Sequence, residues 1–489
     1  MSGATTFAVA VLVAGAVGLA VLAASRLSER IRVPLPALVL VAAAVAVKVV
    51  PGFHQPSQSA VTQVVTVALV TVLFDGGMNI GRRRFRSAAS PILVVGVAGT
   101  FGTAALAGVL IHLVFGVAWY PALLVATAVA PTDPTVVFSV LGRRQVGGRS
   151  GTILEGESGA NDPVGIALMA GLLGAGGLTG AGIGHVASTF ALQMAVGGAV
   201  GAAGGRALLW FMRRLPLPDE GLYPLRTLAA AFLLYGLAVV AHGSGFLAVF
   251  AAGIVIGDER APYKREIERF HGALASLGEI VAFVALGLTV NLHVLAQAST
   301  WVPGLVLGAV LALVIRPAVV GLCLVPARLR RNERTFVQFA GLKGAVPILL
   351  GGYLLGTHVA DPPRLYGIVI VVVIFSVVAQ GGLVGPVTRL LRLPVHVVEP
   401  EPWSVGVRLR QDPGNVHNLV VASGSRADGA TVAELDGLPE DAWVTLLVRE
   451  GVLLAVRGDT RLRAGDRLTV LADADAAGDL DRAFGPPAG

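Results

Sequence analysis

The sequence contains little charge and almost no cysteine. Asp, Glu, Lys and Arg make up only 14% of its 489 residues, 55% are hydrophobic, and the mean hydropathy is +0.77. These values exclude an ordinary soluble globular protein. The single cysteine, Cys323, lies in an apolar run and excludes an intrachain disulfide or a cysteine-based zinc cluster. We therefore expect the chain to lie in a lipid bilayer.

Long polar stretches are also absent before residue 393. A membrane-spanning helix needs about 20 apolar residues, and the sequence holds about thirteen such segments, which predicts an all-α polytopic membrane protein. No targeting peptide is expected, because the first apolar segment has no basic residue before it and is longer than that of a signal peptide. The predicted spans cover residues 5–25, 33–50, 59–81, 88–113, 118–141, 151–175, 184–212, 226–242, 245–257, 268–290, 303–325, 335–355 and 366–391.

The net charge of +7 comes from short basic clusters between the spans, so nucleic acid is not an expected partner. Every second connection is basic, as at Arg82–Arg86 and Arg328–Arg334, and the connections between them carry almost no Lys or Arg. Basic loops stay in the cytoplasm. The alternation predicts a multi-pass protein of the bacterial inner membrane, with the N-terminus outside and the C-terminus cytoplasmic.

The composition changes after Leu393. Prolines predict a linker over 394–402, and residues 403–489 are polar with short β-type runs, which predicts a separate small α/β cytosolic domain. The domain lacks a glycine-rich dinucleotide fingerprint and is not a complete Rossmann unit. We expect strands at Ser404–Leu409, Asn418–Ala422, Trp443–Arg449 and Arg467–Leu471, and helices at Thr431–Leu435 and Ala477–Phe484.

Ionisable groups inside spans are costly, so each is a candidate functional residue. The fifth span contains Ala130-Pro131-Thr132-Asp133-Pro134, in which two prolines flank a hydroxyl and an acid. Proline removes a backbone donor and breaks a helix, and broken helices near the midplane form the ion sites of secondary transporters. Thr132 and Asp133 are therefore candidate site residues. The alternative is a proline kink with an incidental aspartate.

In the sixth span, Ser158 and Asp162 are four positions apart and share one helix face, and Asn161 lies three positions from Ser158. Their hydroxyl, amide and carboxylate oxygens suit hard monovalent cations, and a carboxylate holds either one such cation or one proton. The pattern therefore predicts competitive exchange of a cation and a proton. The alternative, a cytosolic turn with helix-capping acids, fits Glu155 better than Asp162, which lies about two turns inside the apolar run.

Other charged residues within predicted spans include Asp75, Arg316 and Lys343. Asp75 either joins the site or pairs with the basic cluster Arg82–Arg86 at the cytoplasmic end. Arg316 is too deep to reach water and needs an acidic partner, for which Glu157 is the preferred candidate. Lys343 lies in a Gly-Leu-Lys-Gly segment followed by proline, which predicts a second broken helix, the inverted-repeat counterpart of the first.

Other polar and small residues concern how the helices contact one another. For Glu279 and Gln380, packing or an interhelical hydrogen bond is an equal alternative to a role in the site. Gly197, Gly201 and Gly205 recur every four residues in the seventh span and predict close helix packing.

The Thr132-Asp133 and Ser158…Asn161-Asp162 motifs resemble the cation/proton antiporter superfamily, and the Asn-Asp pair resembles its NhaP-type branch. The resemblance covers nearly the whole membrane region. It implies inverted repeats with broken crossing helices, a homodimer, alternating access and a part in pH homeostasis. The implied substrates are K⁺ or Na⁺ and H⁺, with no cofactor and no metal other than the monovalent cation.

The same resemblance assigns roles to residues. It implies that Asp162 carries both the proton and the cation, that Thr132, Ser158 and the main chain of the broken helix are ligands, and that Asn161 supports them. It also implies the Glu157–Arg316 pair, whereas Asp75 stands where a glutamate is common. Relatives with Asn-Asp are electroneutral, since one carboxylate that trades one proton for one monovalent ion moves no net charge.

The tail around Gly429–Leu435, Trp443–Arg449 and Ala464-Gly465-Asp466 resembles the C-terminal subdomain of potassium-conductance regulators, TrkA-C. This resemblance implies potassium transport under the control of a small regulatory ligand, with a nucleotide as the candidate. The alternative is a tail that only stabilises a dimer.

Two other function classes fit less well. A ligand-gated potassium channel would explain the tail, but the Thr-Val-Gly-Tyr-Gly type of filter is missing and buried acids at a broken helix suit a carrier better. A membrane-embedded enzyme would need a nucleophile or a metal set, and the histidines at predicted outer ends lack zinc-like spacing. These histidines are His112, His185, His242 and His293.

Overall fold

The computed structural model consists of two units, Met1–Val398, called here the membrane unit, and Glu399–Gly489, the tail. It describes residues 8, 12, 15–24, 35–49, 55–134, 137–138, 144–146, 148–259, 261–393, 395–397, 416–435, 442–450, 452–473 and 476–486. The strand predicted at Ser404–Leu409, most of the predicted linker and the start of the first span lie outside these residues.

The membrane unit is helical. Its described helices are α1 (Gly15–Ala24), α2 (Leu35–Val49), α3 (Gln58–Ser87), α4 (Ala89–Phe115), α5 (Trp119–Val129), α6 (Gly148–Ala175), α7 (Gly180–Arg214), α8 (Leu222–Val240), α9 (Gly245–Gly257), α10 (Lys264–Gly287), α11 (Ala298–Cys323), α12 (Arg331–Phe339), α13 (Ala345–Tyr353) and α14 (Pro362–Leu390). Seven of them, α3, α4, α7, α8, α10, α11 and α14, are long and apolar enough to cross a membrane alone. Each predicted span contains at least one described helix, and the twelfth contains both α12 and α13, which confirms the predicted fold class.

Proline and glycine set the ends of the interrupted helices. Helix α5 ends at Val129, two residues before Pro131, which has no N–H to continue the helical hydrogen bonds. Residues 131–133 are non-helical and form the first break. Residues 340–344, which include two glycines, are non-helical between α12 and α13 and form the second break. Both breaks fall where the sequence predicts them.

Small residues let helix α9 pack tightly against its neighbours. A Cβ added to Gly197 of α7 would lie 2.5 Å from the carbonyl oxygen of Ser244, and one on Gly205 would lie 3.0 Å from Ala252 Cα. A Cβ on Gly253 of α9 would overlap the carbonyl oxygen of Phe74 in α3. The glycine repeat of the seventh span therefore forms the close helix contact that its spacing predicts.

Three of the long helices each contain a π-helical turn. These turns are Val94–Gly99 in α4, Leu311–Ile315 in α11 and Ser376–Gln380 in α14. A π turn inserts one residue into the helical ladder and is frequent at functional sites. The first turn lies against α6, where a Cβ on Gly96 would be 2.8 Å from Ala160 Cβ. The other two turns lie beside the second break.

Two short strands, β1 (Arg144–Val146) and β2 (Val395–Val397), pair antiparallel within the membrane unit. The sequence predicts neither strand, and β2 falls within the expected linker. The pairing brings together segments that are far apart in the chain.

The described residues of the tail include the strands β3 (Val416–Val420), β4 (Trp443–Arg449), β5 (Val452–Leu454) and β6 (Arg467–Leu471), the helix α15 (Ala477–Phe484) and a 3₁₀ turn at Val432–Glu434. The strands form an antiparallel sheet of order β3-β6-β4-β5. Leu447, Leu468, Val470, Leu480 and Phe484 form much of its buried core. At the turn before β6, Gly465 has a φ of 88°, which favours glycine, and the buried Asp466 accepts hydrogen bonds from Arg449 and the backbone of Arg463.

Candidate functional site

The two breaks contact each other through their backbones. The N–H of Asp133 in the first break donates a 2.7 Å hydrogen bond to the carbonyl oxygen of Leu342 in the second. A Cβ on Gly344 would overlap the carboxylate of Asp133, so glycine is required for this approach. The backbone groups that the breaks release are thereby partly satisfied by each other, as a membrane interior demands.

The side chain of Lys343 extends from the second break to the C-terminal end of α5. Its Nζ donates to the carbonyl oxygens of Ala130 and Pro131, at 3.0 and 3.1 Å, and the residue is only 4% exposed. The resemblance implies that the main chain of the first break contributes ligands for the transported cation. Two of its carbonyl oxygens accept hydrogen bonds from Lys343, so the lysine supplies a fixed positive charge where a broken helix exposes its negative end.

Asp162 lies on α6 next to the first break. It is 7% exposed, and the charges of Asp133 and Lys343 both act on it. Pro131 packs against Gly165, one turn further along α6, where a Cβ would overlap the proline ring. A buried acid among fixed charges is a candidate to bind a small cation or a proton.

Two predicted ligands lie on the same part of α6. Ser158 is 7% exposed and is one turn before Asp162. Asn161 donates a 2.8 Å hydrogen bond to the hydroxyl of Thr132, and its own carbonyl oxygen is buried without a partner among the described residues. Asn161 therefore holds the first break against α6, while its side-chain oxygen Oδ1 accepts no hydrogen bond from the described residues.

Glu157 and Arg316 form a buried, bidentate ion pair. Their contacts are 2.8 Å and 3.1 Å, and the two residues are 2% and 6% exposed. The same guanidinium donates to the carbonyl oxygen of Val337 in α12, and a Cβ on Gly341 would overlap it. The pair thus joins α6 to α11 and to the second break, and the structure places Arg316 on the acid that the sequence analysis prefers.

A chain of hydrogen bonds stabilises the second break. The backbone N–H of Lys343 donates to the Ser376 hydroxyl at 3.0 Å, and that hydroxyl donates to the side-chain oxygen of Gln380 at 2.9 Å. The Gln380 amide donates to the carbonyl oxygen of Phe339, the last residue of α12. Gln380 therefore makes an interhelical hydrogen bond. The sequence analysis did not identify Ser376, because a serine within an apolar run carries no distinctive signal.

Two further acids stand apart from this cluster. Asp75 on α3 accepts a 2.9 Å hydrogen bond from Asn79, and its carboxylate faces Gly272 of α10. Its hydrogen bond goes neither to Asp162 nor to the basic cluster Arg82–Arg86. Glu279 on α10 has one buried carboxylate oxygen without a partner among the described residues, and the charge of Asp133 acts on it.

The charged side chains around the two breaks do not balance one another. Glu157, Asp133 and Asp162 are acidic, and Arg316 and Lys343 are basic, so three negative charges face two positive ones. One negative charge is uncompensated when Asp162 is bare. One proton or one monovalent cation is enough to neutralise it. Across the described residues, no three His, Cys, Asp or Glu side chains come together as a multi-ligand metal site would require.

Comparison with known proteins gives matches over both units. Residues 17–390 match the family described as sodium/hydrogen exchanger, transmembrane, and residues 416–485 match the TrkA-C domain. The chain is 34% identical over 390 residues to the K(+)/H(+) antiporter NhaP of Alkalimonas amylolytica, a match that covers 79% of this chain and 67% of that protein.

Other relatives have similar descriptions. The K(+)/H(+) antiporter NhaP2 of Shewanella oneidensis is 29% identical over 411 residues, which cover 83% of this chain and 70% of that protein. The Na(+)/H(+) antiporter NhaH of Halobacillus dabanensis is 26% identical over 354 residues, which cover 68% and 85%. The structure of the sodium proton antiporter MjNhaP1 from Methanocaldococcus jannaschii superposes with a TM-score of 0.64 at 19% identity, covering 78% of this chain and 98% of that one, and this likeness concerns the fold.

Proposed function

Because the chain belongs to the sodium/hydrogen exchanger family, and is therefore a secondary antiporter of monovalent cations and protons, we propose that Asp162 is its single exchangeable carrier. The observation that carries this proposal is the burial of the Asp162 carboxylate beside the charges of Asp133 and Lys343. Glu157 is paired with Arg316, and Lys343 is held on two carbonyl oxygens. Of the other two acids, Asp133 and Asp162, it is Asp162 that shares its helix with Ser158 and Asn161.

The charge balance at the crossing supports a 1:1, electroneutral cycle. Asp162 with a proton and Asp162 with one monovalent cation give the cluster the same net charge. The membrane potential then does no work on the loaded site in either direction. The proton leaves as the cation enters from one side, and the reverse occurs on the other side after the helices that hold Asp162 have rocked to give alternating access.

We propose that Ser158 and the unused carbonyl oxygen of Asn161 contribute ligands beside Asp162, and that Thr132 orients Asn161. Support comes from the 2.8 Å hydrogen bond between Asn161 and Thr132 and from the position of Ser158 one turn from Asp162. Oxygen ligands of this kind suit K⁺ and Na⁺ alike. We propose K⁺ as the main substrate, since the relatives from Alkalimonas amylolytica and Shewanella oneidensis are described as K(+)/H(+) antiporters.

We also propose where the transporter lies, how it is oriented and assembled, and how it is regulated. The alternating basic connections favour an N-terminus outside and a C-terminus in the cytoplasm of a bacterial inner membrane. The family resemblance favours a homodimer. The TrkA-C match at 416–485 favours regulation through the tail by a small ligand, for which a nucleotide is the candidate. Removal of residues 394–489 is expected to change regulation and to leave exchange intact.

Exchange in proteoliposomes tests the proposed function. A pH-sensitive dye inside the vesicles reports proton movement after K⁺, Na⁺ or choline is added outside under a clamped potential. The expected result is a response to K⁺, a smaller one to Na⁺ and none to choline. A proton flux that does not depend on the cation would overturn antiport at this site.

A further inference from the structure

A small cavity lies between two π-helical turns and the second break. Leu311 and Ala312 of the α11 turn and Ser376 and Gln380 of the α14 turn form two of its sides. Its other lining residues are Gly308, Arg316, Gly341, Lys343 and Val372. The volume open to the centre of a water molecule is about 10 Å³, close to the minimum that one water needs.

Arg316, which lines the cavity, has a buried donor that lacks an acceptor among the described residues. Arg316 uses its terminal nitrogens for Glu157 and for the carbonyl oxygen of Val337. Its Nε is buried and has no hydrogen-bond partner among the described residues. An unpaired donor on a charged, buried group is costly, and such groups are usually satisfied by protein or by ordered water. The site therefore needs one acceptor at Nε.

The opposite side of the cavity offers acceptor capacity. The side-chain oxygen of Gln380 accepts one hydrogen bond from Ser376 and has a second lone pair. Both residues lie on the π turn of α14, whose inserted residue widens the helix at this point. A molecule that accepts from Arg316 and donates towards Gln380 would satisfy both sides.

We propose that this cavity binds one ordered water molecule, which accepts a hydrogen bond from Arg316 Nε and donates one to the side-chain oxygen of Gln380. The water joins the Glu157–Arg316 ion pair to the Lys343–Ser376–Gln380 chain. It therefore links α6, α11 and α14 with the second break through one continuous set of hydrogen bonds. The proposal holds whichever cation the protein transports.

An electron cryo-microscopy map of the full-length protein near 2 Å resolution tests the site directly. We expect one isolated density peak within hydrogen-bond distance of Arg316 Nε and the Gln380 side-chain oxygen. In a map of Ala312→Val, whose larger side chain fills the cavity, the peak should be gone while the Glu157–Arg316 pair remains. A wild-type map without such a peak, or with a peak that does not contact Arg316, would overturn the proposal.

Thermal unfolding of an isosteric pair gives an independent test. Ala312→Thr and Ala312→Val add nearly the same volume, but only the threonine hydroxyl can take the place of the water. We expect Ala312→Thr to melt several degrees above Ala312→Val. Val314→Thr, at a 58% exposed position of α11, measures the effect of a valine-to-threonine change outside the cavity. If Ala312→Val melts at or above Ala312→Thr, the cavity is apolar in character and the proposal fails.

Discussion

The ammonium group of Lys343 donates a 3.0 Å hydrogen bond to the carbonyl oxygen of Ala130, the residue at which helix α5 is cut. Lys343 of the second break therefore caps the C-terminal end of helix α5. Its positive charge lies at the negative end of a helix and close to Asp162. This contact holds the two breaks together, and in the proposed function Asp162 beside it is the group that exchanges a proton for a cation.

Removal of the lysine charge should weaken the crossing. Lys343→Met leaves the carbonyl oxygens of Ala130 and Pro131 without their donor and removes one of two positive charges from the cluster. We expect a loss of about 2–4 kcal/mol in the free energy of unfolding and no measurable exchange. Thermal unfolding in detergent and the proteoliposome assay measure the two effects. A stable, active Lys343→Met protein would contradict the role given to this contact.

Gly344 should tolerate no side chain. A Cβ there overlaps the carboxylate of Asp133, whereas a Cβ on Gly382 of α14 has open space around it. We expect Gly344→Ala to lower the melting temperature by several degrees and to reduce exchange, because the added methyl group pushes the two breaks apart. Gly382→Ala is the matched control and should be neutral or slightly stabilising. Equal behaviour of the two variants would show that the breaks do not pack as described.

The Glu157–Arg316 pair should be strongly coupled. Glu157→Gln and Arg316→Met each leave a buried charge without its partner, and we expect each to cost about 3–5 kcal/mol of stability. The double variant should cost clearly less than the two singles together, with a coupling energy of about 1–3 kcal/mol. A double-mutant cycle of unfolding free energies measures this coupling. Additive effects would mean that the pair contributes no mutual stabilisation.

The tail should lose stability only in acid. Burial tends to raise the pKa of Asp466, but the hydrogen bonds from Arg449 and the backbone of Arg463 outweigh it and lower the pKa below 3.8. A carboxylate with a depressed folded-state pKa stabilises above its unfolded pKa, and that contribution is lost as the pH falls through the folded-state pKa. We expect constant tail stability from pH 7 to about pH 5 and a loss below about pH 4.

Pepsin cleavage of the tail in the intact protein between pH 5 and pH 2 measures this loss. Asp466→Asn lacks the titrating group, so its cleavage should depend less on pH than that of the wild type over the same range. The same pH dependence in both proteins would rule out Asp466 as the source of acid sensitivity.

Sequence patterns were sufficient to predict the helices and both breaks. The lengths of the apolar runs predict the spans. Pro131 interrupts the first broken helix because it has no N–H, and the glycines around Lys343 weaken the second. The preferred partner of Arg316 also followed from the sequence, because few acids lie deep enough in the membrane unit to pair with it.

Other features depend on tertiary geometry. The carbonyl oxygens bound by Lys343 are set by the angle at which the two breaks cross, which no local pattern encodes. The π turns leave composition unchanged, so Ser376 and Gln380 cannot be recognised as neighbours of Arg316 from the sequence. The pairing of β1 with β2 joins segments that are distant in the chain. The contact between Asp75 and Asn79 has helical spacing, but the nearby arginines are an equally local alternative.

The most direct test of Asp162 as the single carrier compares Asp162→Asn with Glu279→Gln. Both variants replace an acid within a span by its amide, but Asp162 lies on α6 with Ser158 and Asn161, whereas Glu279 lies on α10. Potassium-driven proton movement in proteoliposomes, measured at clamped and at free membrane potential, is the experiment. We predict exchange that is unaffected by the potential in the wild type and in Glu279→Gln, and none in Asp162→Asn. Exchange that persists in Asp162→Asn, or a rate that follows the potential, would contradict the account.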